Sequence, residues 1–110
     1  MMFTPEWKLR KSNEQYDIWD CRIADMVISI TYLKPHQSTS GHKHPHPELY
    51  ICCEGKGWLQ IGELGEHVTG PREIAARTRH DIPAGVFHQV RNESDEPLIF
   101  LCIWRGEDKL

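Results

Sequence analysis

The punctuation of this chain constrains its fold more than any other feature. Turn and breaker residues recur at Pro35, Gly41, Pro45, Pro47, Gly55, Gly57, Gly62, Gly65, Gly70, Pro71, Pro83, Gly85 and Pro97. Between them lie short apolar or alternating runs, and no long segment carries helical periodicity. Many short strands at even spacing predict an all-β sandwich or barrel. The clearest strands are Met26–Leu33, 49–53, 58–61, 86–91 and 98–104, with weaker candidates at 18–23 and 73–76. The first of these reads MVISITYL, rich in β-branched and aromatic residues. Residues 54–57 lie between two apolar runs, as a hairpin turn would, and 62–70 reads as another loop. A short helical turn is expected near 4–10, with Thr4 as its cap and Pro5 in its first position. The 110 residues make one domain, of which 1–20 is less patterned and could be an N-terminal arm.

Composition narrows the function classes. Hydrophobic residues are 39% and charged residues 26%, the values of a soluble globular domain. A net charge of -3 leaves no clustered basic excess for nucleic acid and no basic patch for anionic lipid. Residues 1–10 lack the apolar run of a signal peptide. The longest apolar run, 98–104, is far shorter than the roughly 20 residues a membrane helix needs. A cytoplasmic protein with no nucleic-acid or membrane partner is expected. Cys21, Cys52, Cys53 and Cys102 form no CxxC pair, and adjacent Cys52 and Cys53 would point to opposite faces of a strand. They read as small buried thiols in a reducing compartment. The runs 49–53 and 98–104 are apolar on both faces. One face fills a barrel, and the other calls for a second subunit, so a homodimer is expected.

Histidine is the unusual residue. Seven occur, and His42, His44 and His46 fall within one short stretch. On a strand, His42 and His44 project to one face about 6.6 Å apart, where both imidazoles can converge on one ion. The prolines after His44 and His46 favour extended geometry there. Glu48 adds a carboxylate, and His88, in a tight motif of its own, is the best fourth ligand. His46 shares the parity of His42 and His44 and could replace one of them, or stand at a pocket rim. Three histidines and a carboxylate suit one divalent transition metal: Mn, Fe, Co, Ni, Cu or Zn.

These segments resemble the cupin family. Residues 41–55, GHKHPHPELYICCEG, resemble its first motif through His42, His44, Glu48 and Gly55. Pro83, Gly85, His88 and Asn92 match its second motif, although a glycine expected six residues before Pro83 is Arg77 here. The resemblance implies a double-stranded β-helix, or jelly-roll barrel, with the metal inside one end. Tyr50 and Cys52 share the parity of Glu48. With Gln60 and Val90 on neighbouring strands, they are expected to line a pocket above the metal, with His46 near its mouth. His80 is a lesser candidate for that pocket. Pro83 and Gly85 should set the turn into the His88 strand, and Asn92 should bond backbone where that strand ends.

The expected ligand is a small oxygen-bearing molecule. The leading reading is a metal-dependent isomerase of a sugar or hydroxy-carbonyl compound. The stretches ELY, EGKG and DEPLIFLCI resemble the archaeal cupin-type phosphoglucose isomerases. The alternatives are a dioxygenase resembling quercetinases and a non-catalytic binding module for a small ligand.

Overall fold

The structure is a computed structural model that describes residues 6–62 and 71–105. Nine strands form among them: β1 (Lys8–Ser12), β2 (Tyr16–Ile23), β3 (Met26–Leu33), β4 (Glu48–Glu54), β5 (Lys56–Ile61), β6 (Arg72–Ala75), β7 (Arg79–Ile82), β8 (His88–Arg91) and β9 (Leu98–Arg105). A six-stranded sheet runs in the order β1-β2-β3-β9-β4-β7, and a three-stranded sheet in the order β6-β5-β8. All pairings are antiparallel. The fold is a jelly roll, as the punctuation and motif spacing predict. The described residues contain no helix.

Side-chain alternation explains why the sheets stack. In β9, Leu98, Phe100, Cys102 and Trp104 are buried, while Ile99, Leu101 and Ile103 are half-buried on the other face. Val27, Ser29, Thr31 and Leu33 of β3 are buried, as are Glu48, Tyr50 and Cys52 of β4. The small sheet contributes Leu59, Ile61, Ile74 and Val90 to the same core. A period of two thus fills the space between the sheets from both sides.

The chain passes between the sheets at Gly55, which corrects the hairpin expected at 54–57. β4 pairs with β7 and β9, whereas β5 pairs with β6 and β8. Gly55 has φ 90°, and a β-carbon there would run into the Pro97 carbonyl. The residue therefore has to be glycine for two reasons, conformation and space. Two strands lacked a sequence signal. β1 reads KLRKS and is exposed throughout, and β7 reads RHDI with a single apolar residue. The stretch considered as an arm is sheet from Lys8 onward. Of the helical turn expected at 4–10, Thr4 and Pro5 lie outside the described residues, and Lys8, Leu9 and Arg10 are extended. The loop read at 62–70 lies outside them from residue 63.

Asn92 closes the loop after β8. Its buried amide donates to the carbonyls of Leu33 (3.2 Å), Lys34 (3.2 Å) and Glu96 (2.8 Å). Its side-chain oxygen accepts from the Ser94 amide (3.0 Å) and hydroxyl (2.8 Å). A side chain using donors and acceptor together fixes three segments at once.

The outer face of the large sheet stays apolar. Cross-strand pairing puts Trp19 beside Ile30, Ile30 beside Leu101, and Leu101 beside Ile51. A parallel row joins Cys21, Ile28, Ile103 and Leu49. Trp19 is 42% exposed.

Arg77, where the family motif has glycine, sits in the left-handed region at φ 72°, with its amide bonded to the Cys52 carbonyl at 2.8 Å. That conformation costs an L-residue about 1–2 kcal/mol, and the extra unfolded freedom of glycine cancels about 0.5–1 kcal/mol of the gain from replacing it. Arg77→Gly is expected to raise stability by up to about 1 kcal/mol, read from urea unfolding at constant m. A lower midpoint would show that the Arg77 side chain makes a contact outweighing the strain.

Candidate metal centre

The two histidine segments are tied by their backbones before their side chains meet. His42 and His88 form a reciprocal antiparallel bridge, with the His42 amide 3.2 Å from the His88 carbonyl and the reverse bond at 2.9 Å. The Gly85 amide donates to the His44 carbonyl at 2.7 Å. Gly85 has φ 73°, so the turn that delivers this amide favours glycine. A β-carbon on Gly41 would overlap the Phe87 ring, so glycine lets the His42 segment lie close against the start of β8.

Each ring is then oriented by a backbone carbonyl. His42 Nδ1 lies 3.4 Å from the Ser40 carbonyl, His44 Nδ1 3.0 Å from that of His46, and His88 Nδ1 3.0 Å from that of Val86. A carbonyl only accepts, so these bonds place the ring proton on Nδ1 and leave the Nε2 lone pair free. His44 Nε2 and His88 Nε2 both turn toward Oε1 of Glu48, the first in direct contact and the second at 3.2 Å. All three atoms are buried without a hydrogen-bond donor of their own. One ligand atom from each of His42, His44, Glu48 and His88 lies within 4.8 Å of the others. Opposite ligands of a transition-metal ion stand about 4.0–4.4 Å apart, so the cluster fits a single ion with little movement. Burial, then the charge of His88, pushes His42 below the ordinary histidine value. Burial opposes ionisation of Glu48, but His88 and the other two histidines hold it below the usual carboxylate value. A neutral His42 and an ionised Glu48 are the forms a metal requires.

A cavity of about 280 Å³ opens onto this cluster at His42 and Glu48. Tyr50 lines it as expected, edge-on to His88 and stacked on Phe100. Burial raises the Tyr50 phenol and the Cys102 thiol well above their ordinary values, so both are neutral walls. The other expected pocket residues need correction. Cys52 and Val90 are buried in the core away from the cavity. Gln60 lies on the outer face of the small sheet, because Leu59 and Ile61 take the inward positions of β5. It pairs with Gln89 and donates to the Gly62 carbonyl at 3.1 Å. His46 is buried behind the cluster rather than at a mouth, stacked on His44 at 4.0 Å and on Trp104 at 5.7 Å. His80 bonds the Thr78 hydroxyl at 2.8 Å, and it does not line the cavity. His36 pairs with Asp95, and His67 lies outside the described residues.

Sequence reasoning missed Thr31 and Trp104 on the cavity wall, along with Arg10, Lys11 and Tyr16. Thr31 and Trp104 could have been found from parity, since they share inward faces with Leu33 and Leu98. Tyr16 opens β2, within the weakly patterned start of the chain. Arg10 and Lys11 carry no such signal, because a mismatch between two strands sets their direction.

Residues 29–104 match the family model described as Cupin domain, and the chain belongs to that family. Similar solved structures include oxalate decarboxylase of Bacillus subtilis, 22% identical, with TM-score 0.77. That match covers 90% of this chain and 28% of the other, whose description names Mn(II) centres. Oxalate decarboxylase of Lactobacillus farciminis, in a formate complex, is 20% identical over 91% of this chain and 31% of that one, with TM-score 0.77. The protein TT1209 of Thermus thermophilus is 25% identical over 90% of both chains, with TM-score 0.74. This chain thus spans under a third of the two decarboxylases. No curated protein matches it.

His44→Ala is expected to lower metal affinity at least 100-fold, measured by chelator competition. His46→Ala should stay within about tenfold of wild type, because the backbone carbonyl that orients His44 is retained. An equal loss in both variants would make His46 a ligand.

Proposed function

We propose that this cupin holds one divalent transition metal through His42, His44, Glu48 and His88 and acts on a small oxygen-bearing molecule. The observation that carries this reading is the cavity, whose wall includes two of the four ligand residues. When bound, the ion supplies Lewis-acid polarisation of a carbonyl or hydroxyl oxygen. Manganese is the first metal to test, because a similar structure is described with Mn(II) centres.

Within that class, a hydroxy-carbonyl isomerase suits the residues best. Such a reaction needs a group that moves a proton between carbons. Tyr16 lines the cavity, and its phenol is the candidate. Burial would raise it, but hydrogen bonds with Lys11, Ser40 and Asn13 and the charge of Lys11 bring it below its ordinary value. Thr31 and Tyr50 supply hydroxyl groups nearby, while Phe100 and Trp104 exclude water. Metal-loaded protein incubated with a panel of hydroxy-carbonyl compounds is expected to form product without oxygen uptake, and Tyr16→Phe should lower kcat at least tenfold. Oxygen consumption would favour the dioxygenase reading, and ligand-induced stabilisation without turnover would favour a binding module.

The protein is proposed to be cytoplasmic and a homodimer. Its four cysteines are free thiols, three of them buried, which suits a reducing compartment. Among the described residues, no helix is long and apolar enough to cross a membrane. The dimer rests on the outer face of the large sheet, where the rows through Ile30 and Leu101 and through Ile28 and Ile103 run across four strands. Each Leu or Ile fully buried there contributes about 1.5–3 kcal/mol. Light scattering at micromolar concentration should give a dimer mass, and Leu101→Glu should give a monomer. A monomeric wild type would overturn the assignment.

A further inference from the structure

A bulge gives the cavity its charge. In the β1–β2 pairing, Leu9 stands opposite Trp19 and Lys11 opposite Ile18, so two residues of β1 answer a single step on β2. Trp19 is exposed on the outer face, whereas Ile18 packs against the core. In a regular ladder Arg10 would face inward and Lys11 outward. The extra residue turns both toward the cavity, and both line it.

The two cations differ in what they already hold. Arg10 Nε is 2.6 Å from Asp20 Oδ2, and its guanidinium reaches the Ser29 hydroxyl at 3.5 Å. The Ser29 hydroxyl in turn donates to Asp20 Oδ1 at 2.5 Å, so the charge of Arg10 is matched within the sheet. Lys11 makes no ion pair among the described residues. Its ammonium stands 5.5 Å from the centre of the Tyr16 ring, and its charge helps to lower the phenol below its ordinary value. With Arg10 and Asp20 cancelling, Lys11 and a divalent ion face only the carboxylate of Glu48. The cavity is then net positive and calls for an anion.

We propose that the ligand of this cavity is a small hydroxy- or keto-carboxylate, its carboxylate held by Lys11 and its other oxygens turned toward the His42–Glu48 cluster. The inference rests on the metal-centre reading and narrows its substrate class. Lys11 is the specificity-determining contact, and the hydroxyls of Tyr16 and Ser40 beside it complete a carboxylate's acceptor needs. A phosphate would need several more donors than one free ammonium and two hydroxyls. The small volume and the apolar wall of Ile18, Phe100 and Trp104 also favour a compact organic anion.

The test is calorimetric titration of metal-loaded protein with glycolate, lactate and pyruvate, against hydroxyacetone and inorganic phosphate. At least one carboxylate should bind ten times more tightly than either hydroxyacetone or phosphate. Lys11→Met should weaken that binding at least tenfold with metal content and melting temperature unchanged, and Lys11→Arg should restore most of it. The inference is overturned if no carboxylate binds, if hydroxyacetone or phosphate binds as well, or if Lys11→Met binds the carboxylate like wild type. Metal content, measured on the same samples by mass spectrometry, separates the two readings. Protein that takes up no metal yet binds carboxylate through Lys11 sinks the metal centre and keeps this inference. Metal-loaded protein indifferent to Lys11 does the reverse.

Discussion

The reciprocal backbone bonds between His42 and His88 hold the site together. They join a segment that precedes the fourth strand to the start of the eighth, two stretches of chain separated in sequence by four strands. Everything chemical follows from that juxtaposition. The three Nδ1 atoms find carbonyls two residues away within their own segments, so the rings are steered locally. Only the bridge brings the steered rings together on Glu48. The glycines serve this contact: Gly41 removes a clash with Phe87, and Gly85 turns an amide onto the His44 carbonyl. Motif positions that look like loop punctuation are thus parts of the site's scaffold.

Apolar period-two patterning made most of the barrel legible in the sequence. Residues 26–33 were bounded correctly because β-branched and aromatic residues make up most of the run. The 79–82 strand was invisible because its partner, the fourth strand, supplies the apolar surface while Arg79 and Asp81 face water. The histidine spacing brought together four side chains that do meet, and parity placed Tyr50 inside. Parity failed for Gln60 because the chain changes sheets at Gly55. That corner resets which face of the next strand is inward, and residues 54–57 read the same whether they make a hairpin or a crossing.

Arg10 and Lys11 show a different limit. A bulge is a mismatch between two strands, and neither strand alone contains it. The first strand is polar and exposed, so its sequence resembles an arm, yet the mismatch turns two neighbouring cations toward the cavity. His46 illustrates the same point by another route. Its spacing is that of a ligand, but the stack between His44 and Trp104 makes it a support for the ring in front.

The strand order has a consequence for how the domain is assembled. The ninth strand lies between the third and the fourth, pairing Met26 with Arg105 on one side and Leu49 with Ile103 on the other. Until residues 98–105 arrive, the third strand has an open inner edge and the fourth has no partner on that side. Closure of the core therefore waits on contacts between residues dozens of positions apart, the kind of topology in which loop entropy precedes any reward and folding is slow. A ribosome would release the histidine segments long before they could be locked in place, and the nascent chain would have to keep two apolar strand edges from pairing with anything else in the interval.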